Sequence, residues 1–173
     1  MYVWKKLSSI STFIYLKSKV FSASKRISVS IHPENEFELT NDEMHLYSRQ
    51  ILLDGWDIEA QEKLKLANVL IIGAGGIGCT SAELLARAGV GKITIVDADT
   101  IEMSNLQRQI AFTPNDIDRY KAEILAKHLQ VINPHIHVSY KNIRFDETNA
   151  DDLIQHQDVV LDGCDNFTTR YLA

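Results

Sequence analysis

The sequence predicts a doubly wound α/β domain with a mainly parallel, Rossmann-like sheet. Three observations carry that expectation. Apolar runs of strand length lie at Asn68–Ile72, Lys92–Asp97 and Asp158–Asp162. The last shows little alternation, as expected of a strand covered on both faces. Helical stretches separate the runs, and alternating strands and helices make a parallel sheet. The first run enters a glycine-rich turn, Gly73-Ala-Gly-Gly-Ile-Gly78, and the second ends on Asp97. That spacing sets phosphates on a helix N-terminus and puts an acid where ribose hydroxyls lie.

A chain of 173 residues suits one domain with a sizeable core. No apolar stretch approaches the roughly 20 residues of a membrane span. Residues 1–33 carry six Lys/Arg, many serines and no acid, whereas the formal charge of the whole chain is −5. The body is therefore acidic, which argues against nucleic acid as its main partner. We divide the chain into a basic, poorly ordered extension, residues 1–39, and a nucleotide-binding domain, residues 40–173. An organelle-targeting leader is the second reading of the extension. Cys79 and Cys164 form no C-x-x-C pair. Two isolated thiols suit a reducing cytoplasm and small buried positions.

In chain order, Thr40 and Glu43 stand in capping-box positions. Met44, Tyr47, Ile51 and Leu52 follow at helical spacing. A break at Asp54-Gly55 precedes a second helix, Ile58–Leu66. After the first strand a helix is expected over 77–88, ending at Gly89 as helix C-termini commonly do. The next expected elements are a short helix near 105–109, a cap at Thr113-Pro114 and an amphipathic helix over 121–131. Asn133-Pro134 stops that helix. A strand over 137–142, a short helix over 149–155 and the strand Asp158–Asp162 complete the series.

The carboxyl ends of parallel strands bind ligands, and three clusters should meet there. They are the glycine loop, the stretch from Asp97 to Gln109 followed by Lys121, and Asp162-Gly-Cys-Asp165-Asn166. Gly73 permits the tight turn, Gly75 admits phosphate oxygens to the backbone, and Gly78 lets helix and strand pack closely. Arg108 offers a planar fork and Lys121 a point charge for phosphate. Asp165 is a carboxylate placed to hold Mg²⁺ near a polyphosphate. Each residue also has a plainer reading. Asp97 fits a strand-end cap, Arg108 and Lys121 fit surface charges, and Asp165-Asn166 fits a helix cap. The glycine fingerprint by itself equally fits a nicotinamide-dependent (NAD) oxidoreductase.

The motifs Ser48-Arg-Gln-Ile-Leu-Leu53, Gly73–Gly78, Asp97-Ala-Asp99, Ser104-Asn-Leu-Gln-Arg-Gln109, Lys121-Ala-Glu123, Asn133-Pro134 and Asp165-Asn166-x-x-x-Arg170 occur in order. Together they resemble the MoeB/ThiF/HesA family, bacterial relatives of ubiquitin-activating enzymes. The resemblance implies an adenylyltransferase acting on Mg-ATP and a ubiquitin-like sulfur-carrier protein ending in Gly-Gly. The carrier's carboxylate would attack the α-phosphorus, giving an acyl-adenylate and pyrophosphate, for molybdopterin or thiamine-thiazole sulfur transfer. On the same resemblance, Arg108 and Lys121 bind phosphate, Asp97 the ribose, and Gly76 the nucleotide through its backbone. Asp99, Ser104, Asn105, Leu106 and Gln107 line the nucleotide site, and Asp165 takes Mg²⁺ with Asn166 beside it. Arg49 would reach across a homodimer to the partner's triphosphate. The family's zinc-binding C-x-x-C pairs have no counterpart in this chain, which reads as a C-terminally truncated form. A nucleotide-binding remnant without turnover is the remaining alternative.

Overall fold

The computed structural model describes residues 38–164 in full, together with the backbone of two strands at residues 3–7 and 13–18. The strands are β1 (Val3–Leu7), β2 (Phe13–Ser18), β3 (Asn68–Ile72), β4 (Lys92–Val96), β5 (His137–Lys141) and β6 (Val159–Asp162). They form one sheet in the order β1-β2-β6-β3-β4-β5. β6, β3, β4 and β5 run parallel, and β2 pairs antiparallel with β6. The chain winds outward from β3 through β4 to β5, then returns to β6 on the other side of β3. The order therefore reverses between β3 and β6, which is where ligands enter such sheets.

β1 and β2 fall within the basic N-terminal extension, residues 1–39. An edge strand presents unpaired backbone groups. The register Phe13↔Asp162 to Leu16↔Val159 places β2 along that edge of β6.

Side chains alternate across the sheet and fill two cores. Val69, Ile71, Ile93 and Ile95 pack against α4 (Gly76–Ala88) and α5 (Lys121–Ile132). Leu70, Ile72, Val96 and Val160 pack on the opposite face with Phe145 and with Leu153 of α6 (Ala150–Ile154). Both faces of the central strands are thus buried, which explains their apolar sequence.

The N-terminal helices are α1 (Asn41–Leu46), α2 (Ser48–Ile51) and α3 (Ile58–Leu66). Thr40 caps α1 with the expected box: its hydroxyl accepts from Glu43 N, and Glu43 Oε2 accepts from Thr40 N. The periodic stretch from Met44 divides at Tyr47 into two short helices. Leu52, expected on the apolar face, is 80% exposed.

These helices fasten the far end of α4. Gln50 and Gln61 each donate a side-chain N–H to Ala88 O, at 2.7 and 2.8 Å. Asn133 donates from Nδ2 to Ala86 O at 2.7 Å and also to the Tyr47 hydroxyl. Carbonyls left open at a helix C-terminus are thereby satisfied by side-chain amides. Gln61 is wholly buried, and its Oε1 also accepts from Trp56 Nε1. Gln61→Leu leaves the Trp56 and Gln50 donors without that acceptor. The expected cost is about 1–3 kcal/mol, seen as a melting temperature several degrees lower in calorimetry.

Candidate functional site

Three strand ends create a cleft of about 950 Å³. At the end of β3 the chain turns through Gly73, whose φ of +91° is left-handed. A side chain there would be strained, and its Cβ would also lie 2.9 Å from Cys164 Sγ. Gly73 N donates to Val96 O, tying the loop to β4. Gly75 is then the N-cap of α4 and supplies no capping side chain. The first-turn amides of α4 lack a side-chain cap at the cleft, where a helix N-terminus favours an anion. Gly78 does not line the cleft. A Cβ on it would fall 1.9 Å from Gly73 O, so it serves the close fit of helix to strand.

Asp97 follows β4 and faces the glycine loop. Its Oδ2 accepts from Ala74 N at 2.6 Å and its Oδ1 from Asp99 N at 2.7 Å. Burial pushes its carboxyl above the ordinary aspartate range, against the lowering effect of those two bonds. A carboxyl raised in the native state lends stability at low pH and loses it as pH climbs through its own raised value. Wild type should therefore lose stability relative to Asp97→Asn across that acidic-to-neutral window. Melting curves of both proteins from pH 4 to 7 check this.

The segment after Asp97 is pinned from both sides. Thr100 bridges Tyr120, Ile101 N donates to Arg119 O, and Lys121 N donates to Asp99 O at 3.0 Å. This short ladder sets Lys121, the first residue of α5, beside Asp99. Nζ of Lys121 lies 3.0 Å from Asp99 Oδ2. Between them in sequence, Met103–Asn105 forms a 3₁₀ turn. It stands earlier than the helix expected at 105–109, because Asn105 Oδ1 folds back to accept from Glu102 N at 3.1 Å. Arg108 is exposed and donates from Nη1 to Ser104 O at 3.2 Å. Its backbone O lies 3.4 Å from the Cβ position of Gly76, so the guanidinium stem backs onto the glycine loop.

The cleft thus brings together Gly73, Gly75, Gly76, Asp97, Asp99, Asn105, Arg108 and Lys121. Ser104, Leu106 and Gln107 are absent from its lining, although Ser104 buttresses Arg108 through its carbonyl. Arg49 is exposed on α2 and also stands apart from the lining. Asp165, Asn166 and Arg170 lie outside the described residues. Sequence reasoning missed Tyr120 as a lining residue, whereas Gln109 closes the stretch it had placed there. Tyr120 directly precedes Lys121, and that adjacency was the available signal. Cys164 also lines the cleft, half-buried. Cys79 is on the buried face of α4, and burial pushes its thiol up to about 12, so it stays protonated and unreactive.

Fold and cleft together define a doubly wound α/β protein with a cleft at its switch point. The chain belongs to the ThiF family, whose sequence profile matches residues 47–173. It is 43% identical over 133 residues to a molybdopterin-synthase adenylyltransferase of Haemophilus influenzae, covering 77% of this chain and 55% of that protein. It is 41% identical over 134 residues to a sulfur carrier protein adenylyltransferase of Thermus thermophilus, covering 78% of this chain and 49% of the relative. Among solved structures, Escherichia coli MccB with AMPCPP and MccA superposes with a TM-score of 0.60 at 35% identity, covering 66% of this chain and 34% of that one. The chain spans about half the length of these curated relatives. None of the three is named as an oxidoreductase, and the nicotinamide alternative is left without support. No helix among the described residues is long and apolar enough to cross a membrane.

Proposed function

We propose that this chain carries the ATP site of an adenylyltransferase that activates the C-terminal Gly-Gly carboxylate of a ubiquitin-like sulfur-carrier protein. One observation carries the reading. In a ThiF-family chain, Arg108, Lys121 and an uncapped helix N-terminus share one cleft with Asp97. The names of the relatives favour a molybdopterin-type carrier, with a thiamine-pathway carrier second.

The chemistry asks for alignment and charge stabilisation. The nucleophile is already a carboxylate, so no strong base is required. A carboxylate oxygen forms a bond to the α-phosphorus as the bond from that phosphorus to the bridging oxygen breaks, and pyrophosphate leaves. Both reactants are anions, and preorganised cations at the α-phosphate stabilise the charge that builds there. Lys121 and Arg108 are assigned that task. Asp97, held by two backbone amides, is assigned the ribose. Gly76 contributes a backbone contact, Asn105 lines the wall, and Ser104 supports Arg108 from behind it.

Mg²⁺ is assigned to Asp165, which directly follows the cleft-lining Cys164. When bound, it would screen the triphosphate. A homodimer is part of the reading, with Arg49 on the exposed surface of α2 serving the partner's site. So is a cytoplasmic setting, which the absence of a disulfide between Cys79 and Cys164 suits.

The test is ATP–pyrophosphate exchange by this chain with Mg-ATP and a Gly-Gly-ended sulfur carrier. Exchange that needs the carrier's last two glycines is expected. Mg-ATP binding without exchange would leave a nucleotide-binding protein without turnover. Binding of NAD in preference to ATP would overturn the reading.

A further inference from the structure

We infer that Asp99 is the positioning residue for Lys121, aiming its ammonium across the cleft rather than binding the nucleotide itself. The inference rests on the adenylyltransferase reading of the site. Lys121 is almost entirely enclosed, its side chain only 10% exposed, while the Asp99 side chain is 64% exposed. Among the described residues the ammonium meets one hydrogen-bond acceptor, Asp99 Oδ2. One of its three N–H groups is therefore committed, and two remain for ligand oxygens. The backbones of the two residues are already joined by Lys121 N to Asp99 O. The side-chain bond adds aim to a backbone that is fixed without it.

A lysine side chain has four rotatable carbons and no planar fork to orient it. Packing encloses the stem and Asp97 acts on the ammonium through charge, but Asp99 Oδ2 is the described acceptor that gives Nζ a hydrogen-bonded direction. Asp99 is also an anion facing a site built for a triphosphate. It repels the bound nucleotide in the ground state, so it cannot act chiefly by raising ATP affinity. Its contribution must then be to the geometry of the transition state. A misplacement near 1 Å can cost about 10²-fold in rate.

The test joins three readouts on Asp99→Ala and Asp99→Asn. Asp99→Ala leaves the enclosed Lys121 ammonium without its described acceptor and should melt several degrees below wild type, whereas Asp99→Asn keeps an acceptor and should melt close to wild type. Mg-ATP affinity by calorimetry should be equal to wild type or tighter, since a repelling charge is gone. Single-turnover adenylate formation with a Gly-Gly-ended carrier should fall about 10²-fold in Asp99→Ala. Asp99→Asn keeps an acceptor and should recover about tenfold of that loss. Independently of any carrier, the Lys121 ammonium is followed by NMR in ¹⁵N-lysine-labelled protein, its signal assigned with Lys121→Arg. It should be ordered in wild type and averaged in Asp99→Ala.

An unchanged ammonium signal in Asp99→Ala overturns the inference. So does turnover within threefold of wild type, or an affinity loss equal to the turnover loss. Wild-type protein that binds ATP yet forms no adenylate would instead sink the adenylyltransferase reading, and the ammonium signal would still decide the role of Asp99.

Discussion

Lys121→Met is expected to lower carrier-dependent ATP–pyrophosphate exchange by about 10²–10³-fold, the loss that follows removal of one preorganised donor, about 3–4 kcal/mol. The fold should survive. Methionine keeps an unbranched stem in the enclosed position of Lys121. The Asp99 carboxylate left behind is mostly hydrated, at 64% exposure. Breaking an ion pair is costly when the remaining charge is buried and small when it is in water. The melting temperature should therefore stay near that of wild type while exchange collapses. Arg108→Lys should show a related but smaller defect, because lysine replaces a fork with a point charge. Exchange within threefold of wild type in Lys121→Met would remove Lys121 from the α-phosphate.

The residues that were legible in the sequence are those whose constraints are local. The glycine spacing placed β3, the turn and the start of α4, because only small residues fit where Gly73 turns and Gly78 packs. Gly89 and Asn133-Pro134 marked helix ends by the same kind of local chemistry. Ile58–Leu66 was read with its observed bounds, its N-cap Asp57 accepting from Ala60 N.

What escaped depends on residues far apart in the chain. The ion pair of Asp99 with Lys121 spans 22 positions and exists because Thr100 meets Tyr120. The division of the N-terminal helix at Tyr47 follows from tertiary anchoring. The Tyr47 hydroxyl is claimed by Asn133 and the next turn by Gln61 and Ala88 O. The 3₁₀ turn at Met103–Asn105 reflects a side chain, Asn105, bonding its own backbone instead of a helix continuing. The strands at residues 3–7 and 13–18 are settled by the sheet edge of β6, which local composition does not reveal.

Gly78→Ala and Gly76→Ala should separate the fold from the site although the two glycines are two residues apart. A methyl on Gly78 would lie 1.9 Å from Gly73 O, and Ile71 is close behind it. A backbone carbonyl cannot swing aside as a flexible side chain can. The helix must lift off the strand or the turn must deform, at a cost of at least the roughly 1–3 kcal/mol of overpacking. The turn is the phosphate loop, so Mg-ATP binding should disappear along with several degrees of melting temperature. A methyl on Gly76 meets Arg108 O at 3.4 Å and Arg108 Cγ at 3.5 Å. Those contacts are close to ordinary packing, and Arg108 is a surface side chain that can yield. Gly76→Ala should melt within a degree or two of wild type. Its methyl group nevertheless stands on the cleft wall, between the first turn of α4 and the stem of Arg108. Nucleotide affinity should fall without loss of fold, by calorimetry on protein whose melting curve is unchanged. If Gly76→Ala instead unfolds, or binds Mg-ATP as wild type does, then the glycine at 76 serves helix packing and the phosphates do not approach the backbone there.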